Sequence, residues 1–181
     1  METKPDSALT RGYQARREHR FSDAKGAFAE AVALYQKSNN PRLLAQSLVE
    51  LGRSERDLGE TEAARLHYEE AANIFRAGPD KLTLAHTVRH AADILREDGR
   101  LELAEPGYKE ALEIYVAHED TNPLELANAI RGFALLKGAT GHGADAKLLW
   151  EEARELYASI DVQAGVAESE AQIARLAASQ D

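Results

Sequence analysis

The sequence predicts an all-α fold: a right-handed α-solenoid of four helix hairpins followed by one C-terminal capping helix. The first observation is self-similarity, since the chain matches itself column by column at shifts of 40, 40 and 42 residues. One column reads Ala24, Ala64, Ala104 and Ala146, the next Phe28, Tyr68, Tyr108 and Trp150, and a third Ala31, Ala71, Ala111 and Ala153. The second is where the aromatics fall. Eight of the eleven Phe, Tyr and Trp residues occupy just two columns, the one named and Tyr35, Phe75, Tyr115 and Tyr157, which runs beside Leu34, Ile74, Ile114 and Leu156. The third is the spacing of four, three and four in Ala24, Phe28, Ala31 and Tyr35, which places them on one face of a helix.

Each unit therefore carries a helix B with this aromatic face, preceded by a helix A and a tight turn. Helix A shows its own apolar period at Leu44, Leu48, Leu51 and Leu58, and again at Leu84, Val88, Ala91 and Leu95. The turn holds Gly59, Gly99 and Gly141, with His19 standing in the first unit where glycine is expected. Pro41, Pro79 and Pro123 mark the joints between units, because a helix does not continue through proline. The four hairpins then occupy about 6–40, 41–80, 81–122 and 123–160, in one domain over 6–179. The closing helix occupies 161–179, with Ala164, Ala167, Ala171 and Ala174 as its apolar stripe and Gln163, Glu168, Glu170, Gln172 and Arg175 largely outside it. Pro106 falls in the first turns of the third helix B, so a late start or a kink is expected there.

Composition narrows the function. With 44% hydrophobic and 29% charged residues the 181-residue chain is globular, and Met1–Thr10 has no apolar run, so neither leader nor membrane span is expected. A cytoplasmic location follows as the default. No cysteine is present, which removes disulfides, thiolate catalysis and cysteine-based zinc sites. A net charge of -9 argues against general affinity for nucleic acid or anionic membranes.

The order small residue, turn glycine, small, aromatic, small resembles the tetratricopeptide repeat (TPR), most closely over Gly52–Phe75 and Ala92–Tyr115. A 40–42-residue period exceeds the usual length of about 34 and is similar to the extended variety of kinesin light chains and related bacterial proteins. The likeness runs from about Asp6 to Ala158. It departs where helix A ordinarily begins with a large aromatic, here Ala8, Leu48, Val88 and Ile130, and at His19. The resemblance implies TPR-type hairpins, helix A on a concave inner face and helix B outside, and a non-enzymatic protein- or peptide-binding scaffold.

Sorted on that basis, the A helices sum to +2 and the B helices to -7. The inward set is Tyr13, Arg16, Arg17, Arg53, Arg56, His86, Arg89, His90, Arg96, Asn128 and Arg131, together with Val49 and Leu135. Arginine forks donate two parallel hydrogen bonds to a carboxylate, so an acidic or C-terminal peptide segment is the expected ligand, with Asn128 able to meet a peptide backbone. The plainer alternative is that the arginines neutralise Glu50, Asp57, Asp93 and Glu97 on their own helices through weak (i, i+3) and (i, i+4) pairs. A ligand-responsive regulatory sensor and a self-associating structural subunit are the other readings of the same surface.

No catalytic constellation is evident, and neither metal nor cofactor is expected. His86 and His90, four apart, would let both rings reach one metal, but no third ligand completes a site locally, so they read as a surface pair. The run Gly138–Gly143 lacks the Lys-Ser/Thr of a phosphate loop, and Gly141 aligns with the other turn glycines. Trp150 stands in the aromatic column and reads as core, and the acidic balance argues against base-reading helical repeats. If this register is right, Ala104→Leu overpacks the A–B crossing and costs about 1–3 kcal/mol. A melting temperature equal to that of the parent would reject the register.

Overall fold

The computed structural model describes residues 5–178. Residues 1–4, part of the N-terminal stretch read above, and Ser179, the expected end of the capping helix, lie outside the described residues. Among those described there are nine α-helices and no strand: α1 (Pro5–Arg17), α2 (Phe21–Lys37), α3 (Pro41–Asp57), α4 (Thr61–Ala77), α5 (Lys81–Glu97), α6 (Leu101–Ala117), α7 (Pro123–Ala139), α8 (Gly143–Ser159) and α9 (Gln163–Ala178). They form two compact units, the first ending at Ile94 and the second starting at Leu95, within α5. In the first unit α1 packs on α2, α2 on α3 and α3 on α4; in the second α6 packs on α7, α7 on α8 and α8 on α9.

The turns that close the hairpins share one geometry. His19, Gly59, Gly99 and Gly141 all have positive φ, at 58°, 79°, 76° and 81°. Each is followed by a backbone N–H that reaches five residues back: Arg20 to Ala15, Glu60 to Glu55, Arg100 to Leu95 and His142 to Lys137, all at 2.8–2.9 Å. This is the left-handed C-cap that satisfies the last carbonyls of an A helix. His19 therefore does the work of the glycines at the steric cost of a Cβ.

The helix starts are specified separately. Asn40 and Asn122 each accept a backbone N–H through the side-chain oxygen, from Leu43 at 3.1 Å and Leu124 at 2.9 Å. Pro41 and Pro123 then occupy the first helical position, where the missing N–H has no cost. Pro79 lies in the turn before α5. The joints before α3 and α9 add Asn39 and Asp161, both with positive φ.

The aromatic columns are the core. Phe28, Tyr68 and Tyr108 are fully buried, Trp150 is 1% exposed, and the columns Ala24/64/104/146 and Ala31/71/111/153 are buried throughout. What they pack on is a second series of small residues on the neighbouring helices. A Cβ at Gly12 would stand 2.5 Å from the Phe28 ring, at Gly132 2.5 Å from Tyr108 and at Gly165 2.4 Å from Tyr157. At Gly52 it would meet the Ala64 carbonyl at 3.2 Å and the Tyr68 ring at 3.3 Å. Glycine lets the ring close on the helix backbone where a Cβ would collide, so helix spacing is set by the aromatic.

Three expectations are corrected. Leu58, read as part of an apolar face, is the C-cap residue of α3 and is 37% exposed, because the chain has already turned away. The third helix B starts on time at Leu101 with Pro106 inside it, so the loss is confined to one backbone bond, the one Glu102 would otherwise accept. On α9 the alanine stripe Ala164, Ala167, Ala171 and Ala174 is exposed. The buried side is Gly165, Ser169 and Leu176 with Val162, Val166 and Ile173 packed against the α7–α8 core. Branched side chains bury more apolar area than alanine, and Gly165 admits the Tyr157 ring, so that side wins.

Backbone strain at the first turn gives a test. His19→Gly should stabilise the protein by about 0.5–1 kcal/mol, and Gly59→Ala should destabilise it by about 1–2 kcal/mol, in urea denaturation. Equal midpoints for parent and His19→Gly would contradict the shared turn geometry.

Candidate functional site

Helices α1, α3 and α5 bring their side chains to a common face of the first unit. Arg16 on α1 crosses to α3, where it donates to Glu50 and to Asp57, each at 3.3 Å. Arg53 on α3 donates to Glu50 at 3.3 Å and reaches across to the His86 ring on α5. Arg56 approaches His90 Nδ1 at 3.4 Å, while Arg89 Nη2 stands 3.1 Å from His90 Nε2. The two ring Nε2 atoms of His86 and His90 are 3.0 Å apart. Arg89 also donates to Asp93 at 3.0 Å, and both are buried. On this face four guanidinium groups and two imidazoles thus gather with the carboxylates of Glu50, Asp57 and Asp93.

His90 is not the surface residue its spacing implied. Its ring stacks on Tyr68, with centroids 5.5 Å apart and planes 17° apart, and its side chain is 17% exposed. Burial pushes its pKa well below the ordinary histidine range, and Arg89, His86, Arg53 and Arg56 push in the same direction. The ring is therefore neutral. Burial likewise raises Tyr68 to about 12, and its hydroxyl has no hydrogen-bond partner among the described residues. No group of three or more His, Asp or Glu side chains able to hold a metal occurs among the described residues. The arginines beside the histidine pair disfavour a cation there on charge alone.

Two clefts open on this face. One of about 430 Å³ is lined by Tyr13, Gln46, Val49, Glu50, Arg53, Leu82, Thr83 and His86. The other, of about 680 Å³, is lined by Tyr13, Arg16, Arg17, His19, Phe21 and Asp57. Tyr13 is shared between them; it is 43% exposed and stands edge-on to Phe28 at 5.3 Å. Its pKa is raised by partial burial and then by Glu50. Arg17 is exposed. A cleft of about 780 Å³ between the end of α4 and the starts of α3 and α5 is lined by Pro41, Arg42, Ile74, Phe75, Ala77, Gly78, Pro79 and Asp80, and gathers little polar chemistry.

The second unit treats its sequence-predicted residues differently. Arg96 donates to the Tyr108 hydroxyl at 3.1 Å and to Glu97 at 3.1 Å. Asn128 accepts the Tyr157 hydroxyl at 2.8 Å. Arg131 grips Glu168 of α9 with two bonds of 2.7 Å. Lys137 donates to Glu105 at 2.8 Å and lies 5.0 Å from the Phe133 ring centroid. These contacts tie A helices to their neighbours. Tyr13, Arg16, Arg53, Arg56, His86, Arg89 and His90 are brought together; Arg96, Asn128 and Arg131 have partners of their own. Gln46, Leu82 and Thr83 were not singled out from the sequence, although each lies on helix A four residues or fewer from one that was.

No family model matches the sequence, and no curated protein does. Solved structures do match over almost the whole chain. The putative kinesin light chain of Podosopora anserina, with nearly identical TPR-like repeats, superposes with a TM-score of 0.76 at 17% identity over 97% of this chain and 87% of that one. BtubC from P. vanneervenii gives 0.71 at 17% identity over 97% and 80%. PlcR from Bacillus thuringiensis, solved in complex with the peptide PapR7 and DNA, gives 0.67 at 14% identity over 95% and 61%. The fold is that of a TPR-type repeat protein, all-α and built of consecutive packed helices.

The neutral buried imidazole makes stability depend on pH. The unfolded chain binds a proton at His90 below its ordinary pKa of about 6.5 and the folded chain does not, so stability falls as pH falls through that value. About 2 kcal/mol should be lost between pH 8 and pH 5 from this group. His90→Gln should flatten that part of the profile in chemical denaturation, and an unchanged slope would show that His90 is not the group responsible.

Proposed function

We propose that the chain is a non-enzymatic protein- or peptide-binding scaffold that grips an acidic segment on the helix-A face of its first unit. The observation carrying this reading is the convergence of Arg16, Arg53, Arg56 and Arg89 from three helices on one face. Beside them, Val49 and Leu82 give the smaller cleft an apolar floor. An extended peptide uses such a surface by placing an acidic group on an arginine fork and a side chain on the floor. The fold supports the same class, since PlcR, which shares it, was solved with a bound peptide. In this reading Tyr13, Arg17 and His86 line the entry, while Arg96, Asn128 and Arg131 brace the second unit.

Arg53 is the useful probe, because Arg89 is buried against Asp93 and reversing it would set two carboxylates together. Fluorescence anisotropy with fluorescein-labelled acidic and basic peptides should show binding of the acidic set alone. Arg53→Glu should weaken it at least tenfold, about 1.4 kcal/mol. Equal affinity for acidic and basic peptides, or an unaffected Arg53→Glu variant, would overturn the reading.

A further inference from the structure

The joint between α4 and α5 closes its helix differently from its counterparts. After α2, Ser38 donates its hydroxyl to the Tyr35 carbonyl at 3.1 Å. After α6, His118 donates through Nδ1 to the Ile114 carbonyl and Thr121 through Oγ1 to the Tyr115 carbonyl, both at 2.7 Å. Gly78 stands in the column of Ser38 and His118 and has no side chain to give. Its N–H turns to the Phe75 carbonyl at 2.9 Å, so the Ile74 carbonyl loses the donor that a continuing helix would supply. A Cβ at Gly78 would stand 3.6 Å from the Phe75 carbonyl oxygen and 3.8 Å from that of Ile74. Both oxygens therefore border the space that the missing side chain leaves.

Two more residues of this cleft depart from their columns. Asp80 replaces the capping asparagines Asn40 and Asn122; its Oδ1 accepts the Thr83 N–H at 3.2 Å, which leaves the second carboxylate oxygen over. Arg42 stands where later repeats carry Leu82 and Leu124. It is exposed and makes no hydrogen bond or ion pair among the described residues, with Asp80 or with any other carboxylate. Lys81 is already spent on the Arg76 carbonyl, at 3.0 Å. The other walls are carbon, from Pro41, Ile74, Phe75, Ala77 and Pro79, around about 780 Å³. Small-ligand sites run from roughly 300 to 1,000 Å³. The Ile74 carbonyl and Asp80, at the negative end of α4, ask for an ammonium. Arg42, in the first turn of α3, asks for a carboxylate. A ligand with one charge alone would leave the opposite group facing its own sign. We propose that this cleft binds a small apolar zwitterion: its ammonium meets the Ile74 carbonyl and Asp80, its carboxylate meets Arg42, and its apolar body lies against Phe75 and the two prolines. A free apolar amino acid and a short apolar peptide both present that chemistry. The cleft shares no lining residue with the two on the helix-A face, so the proposal stands apart from the acidic-segment reading.

L-Phenylalanine and the dipeptide leucyl-leucine are the probes, titrated into the full nitrogen-15-labelled chain. Each should move the backbone N–H signals of Gly78 and Lys81, and the one that saturates at lower concentration identifies the source of the zwitterion. Phenethylamine lacks the carboxylate and 3-phenylpropionate lacks the ammonium, so both should bind at least about tenfold more weakly than phenylalanine. Glycine, which has no apolar body, should not bind. Asp80→Asn restores the residue of the other joints, keeps the cap and removes the charge; it should weaken binding by about tenfold. Gly78→Ser restores the side chain of the first joint and should abolish binding with circular dichroism unchanged. No shift at Gly78 with either zwitterion at its highest soluble concentration would overturn the proposal. So would phenethylamine or 3-phenylpropionate binding as tightly as phenylalanine, or a Gly78→Ser variant that binds like the parent.

Discussion

Everything in this chain hangs on an aromatic ring packed against a helix that has no side chain at the contact. Phe28 on Gly12, Tyr68 on Gly52, Tyr108 on Gly132 and Tyr157 on Gly165 set helix separations that a single methyl group would change. A ring buries a large apolar area, and its rigidity fixes one spacing instead of a range of them. The alanine columns on either side are fully buried in the same crossings. Once that contact repeats, one helix phase repeats with it, and side chains at equivalent positions of α1, α3 and α5 come to the same face.

The left-handed turns hold the second coordinate. Because residues 19, 59, 99 and 141 all turn with positive φ and are each followed by the same backbone bond five residues back, the four hairpin turns share one geometry. That is why Arg16, Arg53 and His86 meet although they are far apart in sequence. The cluster they form is electrostatically unusual for a surface. The His90 ring is held neutral by burial and by the arginines, and Glu50 is shared between Arg16 and Arg53. Weak same-helix pairing does occur, as Arg53–Glu50 and Arg89–Asp93, but the contacts that define the face cross between helices.

The repeat, the turns and the aromatic columns were legible because each is a local pattern repeated at a fixed period. Column reading even caught the odd turn residue, His19, whose positive φ matches that of the glycines. Partner choice was not legible. Arg16 with Asp57 and Arg53 with His86 are 41 and 33 residues apart, and the partner is decided by which long side chain arrives at the interface. Sequence phase placed Asn128 and Arg131 in the same class as Arg53, yet the first meets Tyr157 and the second Glu168 of α9. The alanine stripe of α9 was misread because period alone does not rank two apolar faces; Val166, Ile173 and Leu176 do. Gly12 and Gly132 stand 40 residues either side of Gly52 and Ala92, so that column was readable, but its meaning lay in the ring across from it.

The central proposal is that the helix-A face of the first unit, not the acidic B helices, receives a negatively charged ligand. The most direct measurement is a nuclear magnetic resonance titration of the isotope-labelled chain with an acidic peptide, read residue by residue. The account predicts that the largest shift changes fall at Tyr13, Arg53 and His86, including the Arg53 side-chain N–H. Changes concentrated on α2 and α4, or none at saturating peptide, would contradict it.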